Sequence, residues 1–460
     1  MTLKDRSFQR TFHLLSQFSF IIIKKYNFDL SCVADFFQTN EGITMGQTFV
    51  EKVFSKKLGR KVRAGDIIEV IPDVAMSHDN TAAISIRFKE IGVDRVFKPE
   101  IHVIILDHAT PAPTEQYALN HKIIREFVKK YGIPHFYDIN TGICHQVLAE
   151  EGFVLPGQII VGSDSHTTTC GAFGAFGTGI GRTEMAVIFA TGKIWFRIPE
   201  SIKITLKGKL PEGIVSKDII LHVIGDIGAD GASYKSVEFY GDSITNLSID
   251  ARMTIANMSI EMGAKNCFME PDVKVLDWLK PKTRSAFEVI KADIDANYET
   301  ELIYNVSQLE PKIASPHQVD NVKSVSQVTG IKIHQAFLGS CVNGRLEDIA
   351  IAAELIKGKK VHPNVRLLVF PASMNIYRRA MDSGYLITLL NAGAIIMNPG
   401  CGPCLGAHEG ILAPGEVCIS SSNRNFRGRM GSRDAEIYLG SPATVVAAAI
   451  AGEIVDFRKL

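Results

Sequence analysis

Short apolar runs alternate with amphipathic segments along most of this chain. Runs rich in β-branched residues predict strands, and in chain order they span 66–71, 101–106, 135–139, 158–162, 201–206, 332–338, 366–370, 394–397 and 416–420. Helical spacing of apolar residues predicts helices over 48–58, 117–132, 182–192, 217–227 and 249–263. Strands separated by helices favour parallel, doubly wound sheets, so we expect an α/β fold.

Two stretches depart from this alternation. Residues 1–44 are Phe-rich and basic, and their apolar part is too short and too poorly flanked for a signal peptide. A transit peptide is one interpretation of this stretch, but we favour an N-terminal extension from a misplaced start, with Met45 as the true beginning. The more polar, proline-containing region 272–327 is interpreted as a linker into the last domain.

Composition narrows the class of protein. A chain of 460 residues predicts two to four domains. The net charge of +1 gives no reason to expect a nucleic-acid or membrane surface, and no apolar run approaches the roughly 18 to 20 residues that span a bilayer. Eight cysteines are too sparse for a disulfide scaffold, which favours a reducing, cytoplasmic location.

Residues with chemical capability follow several of the predicted strands. They are Asp107 and His108, then Asp164, Ser165 and His166, then Cys341, then Cys401 and Cys404, and finally Arg424 and Arg429. Open α/β sheets hold their ligands at the carboxyl ends of their strands. We therefore expect several sheets to point these side chains into one shared cleft.

The pair Cys401-x-x-Cys404 has several possible interpretations on its own: a redox pair, half of a zinc site, an iron–sulfur ligand pair or chance. The absence of a second C-x-x-C weighs against structural zinc, and the Gly-Pro turn between the cysteines does not open a helix as a thioredoxin-type pair would. Cys341 is the best candidate for a third thiol because it also ends a strand. Three thiolates fit a [4Fe–4S] cluster with one open iron, a Lewis acid for a substrate hydroxyl.

The histidines and arginines extend this interpretation. A carboxylate next to a histidine favours its protonated, acidic form, and the forked donors of Arg424 and Arg429 suit carboxylate binding. Surface or core histidines and a solvated basic loop are the alternative interpretations. An open iron, acidic histidines and paired arginines together describe the dehydration of a hydroxy-polycarboxylate. The glycine-rich segment 171–181 lacks phosphate-binding spacing and is predicted to be a close-packing loop.

From Met45 onward the chain resembles the aconitase superfamily, in the branch formed by the large subunits of isopropylmalate isomerase and homoaconitase. The motifs that carry the resemblance are Gly142-Ile143-Cys144-His145-Gln146, Asp164-Ser165-His166-Thr167, Gly339-Ser340-Cys341 with Asn343, Cys401-Gly402-Pro403-Cys404, and Asn423-Arg424-Asn425-Phe426 with Gly428-Arg429. The resemblance implies that Cys341, Cys401 and Cys404 hold one [4Fe–4S] cluster per subunit, with one iron not ligated by cysteine.

The resemblance also implies roles for the other residues. It pairs carboxylates with histidines as Asp107 with His108, Asp164 with His145, and Glu261 with His166. His108 is expected to protonate the leaving hydroxyl. The substrate is expected to contact His78, Ser165, Asn257, Arg424 and Arg429.

The implied architecture is three aconitase-type α/β domains around a shared cleft, at 45–196, 197–305 and 306–460, without the family's swivelling domain. That domain, with the proton-abstracting serine, is then expected on a separate small subunit in a heterodimer or heterotetramer. The implied activity is a hydro-lyase that isomerises 2-isopropylmalate to 3-isopropylmalate in leucine biosynthesis. The alternatives are homoaconitase, with a longer tricarboxylate substrate, and a non-catalytic zinc or redox protein. RNA binding, a second role of some aconitases, is disfavoured by the neutral charge balance.

Overall fold

Strands and helices alternate throughout residues 46–460, the part of the chain that the computed structural model describes. The strands are β1 (Ile67–Val70), β2 (Val74–Ser77), β3 (His102–Ile105), β4 (His135–Tyr137), β5 (Ile159–Gly162), β6 (Phe176–Gly179), β7 (Ile194–Arg197), β8 (Ser201–Lys207), β9 (Ser236–Tyr240), β10 (Asn266–Met269), β11 (Thr300–Asn305), β12 (Lys312–Ala314), β13 (Val322–Ser324), β14 (Gln335–Gly339), β15 (Arg366–Phe370), β16 (Ile395–Ile396), β17 (Val417–Ser420) and β18 (Glu436–Gly440). The predicted extension 1–44, with Cys32, and the predicted start at Met45 lie outside the described residues.

The helices begin and end where local sequence signals favour it. They are α1 (Phe49–Leu58), α2 (Thr81–Ile91), α3 (Glu115–Tyr131), α4 (Cys144–Glu150), α5 (Arg182–Thr191), α6 (Ser216–Ile227), α7 (Asp242–Asn246), α8 (Ile249–Met258), α9 (Val273–Leu279), α10 (Ser340–Asn343), α11 (Leu346–Ile356), α12 (Met374–Asp382), α13 (Tyr385–Ala392) and α14 (Pro442–Ala451). In α3, for example, the Thr114 side chain accepts the N–H of Tyr117, and Gly132 ends the helix at φ +63°.

Parallel pairing dominates the sheets, which confirms the predicted α/β class. A five-stranded sheet has the order β4-β3-β2-β5-β6, and a four-stranded sheet has the order β10-β9-β8-β11. All pairs in these two sheets are parallel. A seven-stranded sheet has the order β13-β12-β18-β17-β14-β15-β16, with antiparallel pairing only at β12. Strands β1 and β7 form a separate antiparallel pair.

The interpretation of residues 272–327 as a linker is wrong. This region contains α9, and it supplies β11 to the four-stranded sheet and β12 and β13 to the seven-stranded sheet. Its polarity has a physical cause, because β11 and β13 are edge strands with partly exposed faces. Each of the three larger sheets draws its strands from one predicted domain range, while residues 47–460 form one compact unit. The domain boundaries themselves stay a prediction.

Two further segments differ from the sequence interpretation. The glycine-rich segment 171–181 contains β6, so only part of it is a loop, but the predicted close packing is present. A Cβ on Gly171 would lie 2.0 Å from the Cys267 carbonyl oxygen, and one on Gly177 would lie 2.4 Å from that of Thr167. The helix predicted over 249–263 stops at Met258 and continues as a 3-10 turn over Ser259–Met262.

Backbone hydrogen bonds tie the sheets together where their strands end. The N–H of Cys401 donates to the Asp107 carbonyl oxygen at 2.8 Å, which joins the loop after β16 to the loop after β3. Gly142 bridges to Ser373 so closely that a Cβ on Gly142 would lie 2.6 Å from the Ser373 Cα. Only glycine fits this contact, which fixes the segment leading into α4 against the seven-stranded sheet.

The central strands are buried and mostly apolar, whereas polar residues follow the ends of these strands. The central strands β3, β5 and β14 are buried along their whole lengths, as expected for parallel strands covered on both faces. Among residues 46–460, no helix combines the length and apolar character needed to cross a bilayer.

Candidate active site

A cavity of about 400 Å³ lies at the carboxyl ends of strands from two sheets. Its walls include His78, Asn80, His108, His145, Ser163, Asp164, His166, Arg182, Cys341, Cys401, Cys404, Asn423, Arg424 and Arg429. Strands β2, β3 and β5 of the five-stranded sheet lead into one side, and β14, β16 and β17 of the seven-stranded sheet lead into the other. The shared cleft expected from strand ends is therefore present in the structure.

Three cysteines face this cavity from two segments of the chain. Cys341 lies in α10, whose first residue, Ser340, has a φ of +69°, directly after β14. Cys401 and Cys404 follow β16, and Cys404 lies on a 3-10 turn over Gly402–Leu405. A hydrogen bond with Cys401 holds the pKa of the Cys341 thiol well below its usual value and raises that of Cys401.

The surroundings of the cysteine sulfurs suit a thiolate-bound metal centre. Amide nitrogens of Asn257 and Asn423 lie 3.2 and 3.5 Å from the Cys341 sulfur. The Cys404 sulfur lies 3.3 Å from Oδ1 of Asn423 and 3.8 Å from a guanidinium nitrogen of Arg429. Polar donors around cysteine sulfurs stabilise a bound iron–sulfur cluster and adjust its potential. The three cysteines and their neighbours thus fit a cluster with three protein ligands.

Carboxylates hold His108 in its charged form. Its Nδ1 lies 2.5 Å from Oδ1 of Asp107, and its Nε2 lies 3.5 Å from Oδ2 of Asp164. Burial disfavours the imidazolium, but Asp107 and then Asp164 outweigh this effect and hold the pKa of His108 well above its usual value. His108 is therefore protonated at neutral pH and can donate a proton into the cavity.

His78 has the opposite protonation preference. Its ring stacks on that of His108 with centroids 3.8 Å apart. Burial and the charge of His108 lower the pKa of His78 to about 4, so it is neutral at physiological pH. The buried Nδ1 of His78 has no hydrogen-bond partner within residues 46–460. The two stacked histidines are thus one proton donor and one neutral polar group.

Asp79, which sequence analysis missed, orders the loop that carries His108. Its Oδ2 accepts the backbone N–H groups of Asp107 and His108, each at 2.8 Å, and its Oδ1 accepts that of Ala109 at 3.1 Å. His121 lies 2.9 Å from the same Oδ1. Burial opposes ionisation, but the hydrogen bond from His121 and the charge of His108 keep the pKa of Asp79 below its usual value. Asp79 lies two residues after the end of β2, just as the predicted site residues lie shortly after the ends of their strands.

Asp164 and Glu261 connect the remaining histidines. Nε2 of His145 lies 2.7 Å from Oδ1 of Asp164, and Nε2 of His166 lies 2.8 Å from Oε1 of Glu261. Burial and the cation of Arg424 disfavour charging of His166, but hydrogen bonds with Asp164 and Glu261 raise its pKa to about 9 overall. The three carboxylate–histidine pairs expected from the resemblance are thus all within hydrogen-bonding distance.

The two expected arginines differ in how they are engaged. Nε of Arg424 donates to both oxygens of Glu261 at 2.8 and 2.9 Å, and another of its nitrogens donates to Ser165 at 3.1 Å. Arg429 also lines the cavity, and its buried Nε lacks a hydrogen-bond partner among the described residues. Arg429 therefore keeps an unused donor, whereas Arg424 is pre-positioned by Glu261.

Neither Asn257 nor Ser165, both expected to contact the substrate, lines this cavity, and the contacts of both residues are to protein groups. Asn257 donates to Thr169 at 3.0 Å and to the Cys341 sulfur, and Ser165 accepts from Arg424. Sequence analysis also missed Asn80, which lines the cavity and bonds to Ser163. Asn423 was recognised as part of a motif, but its contacts with two cysteine sulfurs could be known only from the fold.

Comparison with known proteins adds independent information. The profile of the aconitase family (aconitate hydratase) matches residues 51–452. The chain is 52% identical over 415 residues to the 3-isopropylmalate dehydratase large subunit 1 of Methanopyrus kandleri, which covers 90% of this chain and 99% of the relative. It is 52% identical over 389 residues to the probable methanogen homoaconitase large subunit of Methanosarcina mazei, covering 84% and 99% of the two chains. A 3-isopropylmalate dehydratase large subunit 1 from Thermotoga maritima is 46% identical over 419 residues, covering 90% and 100%.

The protonation of His166 gives a pH-dependent prediction for the chain without a cluster. Its folded pKa of about 9 exceeds the ordinary value of 6.5, so its pairs contribute stability that is fully present below pH 6.5 and is lost as the pH rises toward 9. In Glu261→Gln the His166 ring loses a negative partner, and its pKa should fall. NMR titration of ¹³C-labelled histidine rings measures this pKa directly.

Glu238→Gln is the matched control for that titration. Glu238 is also a fully buried carboxylate, but it accepts hydrogen bonds from Tyr240, Tyr298 and the Phe49 backbone. The His166 titration should be the same in this variant as in the unmodified chain. Titration of His166 near pH 6.5 in the unmodified chain would contradict the described network.

The contacts of Asp79 predict that Asp79→Asn loosens residues 107–109. Asparagine has a single acceptor oxygen and no charge, and each lost charge-assisted hydrogen bond costs about 1.5–3 kcal/mol. Amide hydrogen exchange at 107–109 should therefore become roughly tenfold faster or more. Exchange measured by mass spectrometry tests this in the isolated chain.

Asp73→Asn is the control for this exchange experiment. Asp73 lies at the opposite end of β2 and accepts the backbone N–H of Ile159 at 2.8 Å. Its replacement should leave exchange at 107–109 unchanged. Equal exchange in Asp79→Asn and the unmodified chain would show that Asp79 does not order the loop.

Proposed function

Because this chain belongs to the aconitase family, we propose that it is the large subunit of a hydro-lyase that isomerises 2-isopropylmalate to 3-isopropylmalate by dehydration and rehydration. The observation that carries this proposal is the single cavity that combines three cysteines with a protonated histidine. The identity of 46–52% to relatives named 3-isopropylmalate dehydratase large subunit, over about 90% of the chain, supports the substrate.

Cys341, Cys401 and Cys404 would hold a [4Fe–4S] cluster in this cavity. With three cysteine ligands, one iron would stay open and would supply a Lewis acid for the hydroxyl and carboxylate of the substrate. The amide nitrogens of Asn257 and Asn423 donate to the Cys341 sulfur and favour its ionised, metal-binding form. Of the other described cysteines, Cys418 is buried within β17 and Cys144, Cys170 and Cys267 are also buried, and none of these four lines the cavity.

His108 is the proposed acid for the leaving hydroxyl. Asp107 holds Nδ1, which directs the proton on Nε2 toward the cavity and toward Asp164. The ring of His78 covers one face of His108 and is neutral, so the pair carries one positive charge and not two. After dehydration the same Nε2 can withdraw the proton from the incoming water, because rehydration is the reverse of the first half-reaction.

Substrate carboxylates are proposed to bind at the arginine side of the cavity. Arg429 offers an unpaired Nε, and Arg424 is oriented by Glu261 and Ser165. Two guanidinium groups near one cavity match a substrate with two or three carboxylates. His166, which is protonated and held by Glu261, adds a further positive charge to this wall, and His145, held by Asp164, lines the same cavity.

The proton-abstracting group is proposed to come from a separate small subunit that carries the swivelling domain. Relatives of 46–52% identity that this chain matches over nearly their whole length are named large subunits, which implies such a partner. Within residues 46–460, the cavity presents no serine other than Ser163, which is hydrogen-bonded to Asn80. A heterodimer or heterotetramer and a cytoplasmic location stay predictions.

Homoaconitase is the second candidate activity. It is favoured by relatives named methanogen homoaconitase large subunit with 51–52% identity, as high as those of the dehydratase relatives. The described cavity wall is dominated by polar and charged groups that would bind the carboxylates shared by both substrates. The variable side chain of the substrate is therefore proposed to be read by the small subunit.

An activity assay with and without the small subunit tests the proposal. The isolated chain, loaded anaerobically with iron and sulfide, should not turn over 2-isopropylmalate, homocitrate or citrate, and addition of the small subunit should give turnover of 2-isopropylmalate. Higher kcat/KM for homocitrate would establish the second candidate instead. Turnover by the isolated chain would contradict the assignment of the base to the partner.

A further inference from the structure

A lysine without an ion-paired carboxylate is completely buried against the backbone that leads into Asn423 and Arg424. Lys217, the second residue of α6, has no solvent-exposed surface. Its Nζ donates to the backbone carbonyl oxygens of Ser421 at 2.9 Å and Ser422 at 2.6 Å. Among the described residues, no carboxylate forms an ion pair with it. A buried ammonium group is costly unless hydrogen bonds and a negative charge compensate it.

Through these two carbonyl groups, Lys217 contacts the loop that carries two cavity-lining residues, Asn423 and Arg424. Ser421 and Ser422 directly follow β17 and directly precede Asn423 and Arg424. Asn423 contacts the sulfurs of Cys404 and Cys341, and Arg424 is bonded to Glu261. Two hydrogen bonds from one ammonium group therefore fix the backbone from which both side chains extend.

The same loop is attached to the segment that carries Cys341. The hydroxyl of Ser421 accepts the N–H of Gly339 at 2.9 Å, and the N–H of Ser421 donates to Phe337 at 2.9 Å. Gly339 ends β14, two residues before Cys341. Lys217 thus supports two of the three cysteine environments through one short stretch of backbone.

Negative charge reaches Lys217 from two of the cysteines as well as from carboxylates. Burial lowers the pKa of Lys217 to about 7, and the charge that most strongly opposes this shift is that of Cys404, followed by Asp348 and Cys341. A cluster held by three thiolates keeps these sulfurs ionised. Its charge can then add to that of Asp348 in compensating the buried ammonium group.

We infer that Lys217 is a positioning residue for the cluster: it orders the Ser421–Ser422 backbone behind Asn423 and Arg424, and it compensates the negative charge of the cluster-bound cysteines. The inference rests on the proposed function, because it requires that Cys341 and Cys404 hold the cluster. It assigns a role to a residue that lies outside the cavity and contacts no substrate.

The test compares Lys217→Met with Lys265→Met in the full chain loaded anaerobically with iron and sulfide. Lys265 is the matched control because its Nζ also donates to a backbone carbonyl, that of Gly179 at 3.4 Å, and burial also lowers its pKa, while its opposing charge is Glu184 rather than a cysteine. The measurements are the rate of iron loss to a chelator, the reduction potential of the cluster, and the melting temperature of the cluster-free chain.

Lys217→Met should lose iron about 10- to 100-fold faster than the unmodified chain, as is typical when a residue that supports metal ligands is removed. Its cluster should also have a more negative reduction potential, because a positive charge near the cluster favours the reduced form. Lys265→Met should match the unmodified chain in both measurements. Lys217→Gln, which retains a donor but no charge, should show the potential shift with slower iron loss than Lys217→Met.

Each other outcome has a separate meaning. Unchanged iron loss and potential in Lys217→Met, or equal changes in Lys265→Met, would overturn the inference. If neither Lys217→Met nor Lys217→Gln folds without a cluster, Lys217 is a residue of the fold alone and the inference is also overturned. If the unmodified chain binds no iron and sulfide, the proposed function fails, which is a distinguishable result.

Discussion

The rest of the cavity depends on the contacts of the Asp164 carboxylate with three histidines. One oxygen lies 2.7 Å from His145 and accepts the N–H of His166, while the other lies 3.5 Å from His108. These histidines come from three different segments of the chain, so a single carboxylate fixes their relative positions. Burial opposes its ionisation, but the hydrogen bonds from His108, His145 and His166 hold the pKa of Asp164 well below its usual value. In turn, Asp164 raises the pKa values of His108 and His166 and helps to keep both protonated.

The same principle of local charge compensation extends through the site. Asp107 and Asp79 fix the loop of His108, and Glu261 fixes His166 and Arg424. Lys217 fixes the backbone of Ser421 and Ser422. Asp107, Asp79, Glu261 and Lys217 are almost wholly buried, where an unpaired charge is costly. The geometry needed for acid–base chemistry and for a cluster is therefore set by pairing within the protein, before a substrate binds.

The fold class and most of the site followed from local sequence patterns. Long apolar runs such as 101–106 and 366–370 predicted strands because a buried parallel strand is apolar on both faces, and the polar residues just after them predicted the cavity wall. The strand β2, of four residues, was missed because a run this short between Pro72 and His78 has no readable period. Asp79 was missed with it. The edge strands β11 and β13 were taken for a linker because half-exposed strands are polar.

The contacts of Lys217 could not be predicted from the sequence at all. It lies in an apolar helix that resembles any buried helix, and its partners are carbonyl groups about 200 residues away. Only the packing of the four-stranded sheet region against the end of β17 brings them together. Residues that act through backbone atoms leave no pattern in the sequence, whereas residues that act through side chains at strand ends do.

The central claim, that Cys341, Cys401 and Cys404 hold a [4Fe–4S] cluster in the cavity, is tested most directly by iron and sulfide analysis after anaerobic loading. About four iron and four sulfide ions per chain are expected, with broad visible absorption. Cys404→Ala should lose them, whereas Cys418→Ala, which removes a buried thiol from β17, should retain them. Stoichiometric zinc without sulfide, or equal iron content in both variants, would contradict the account.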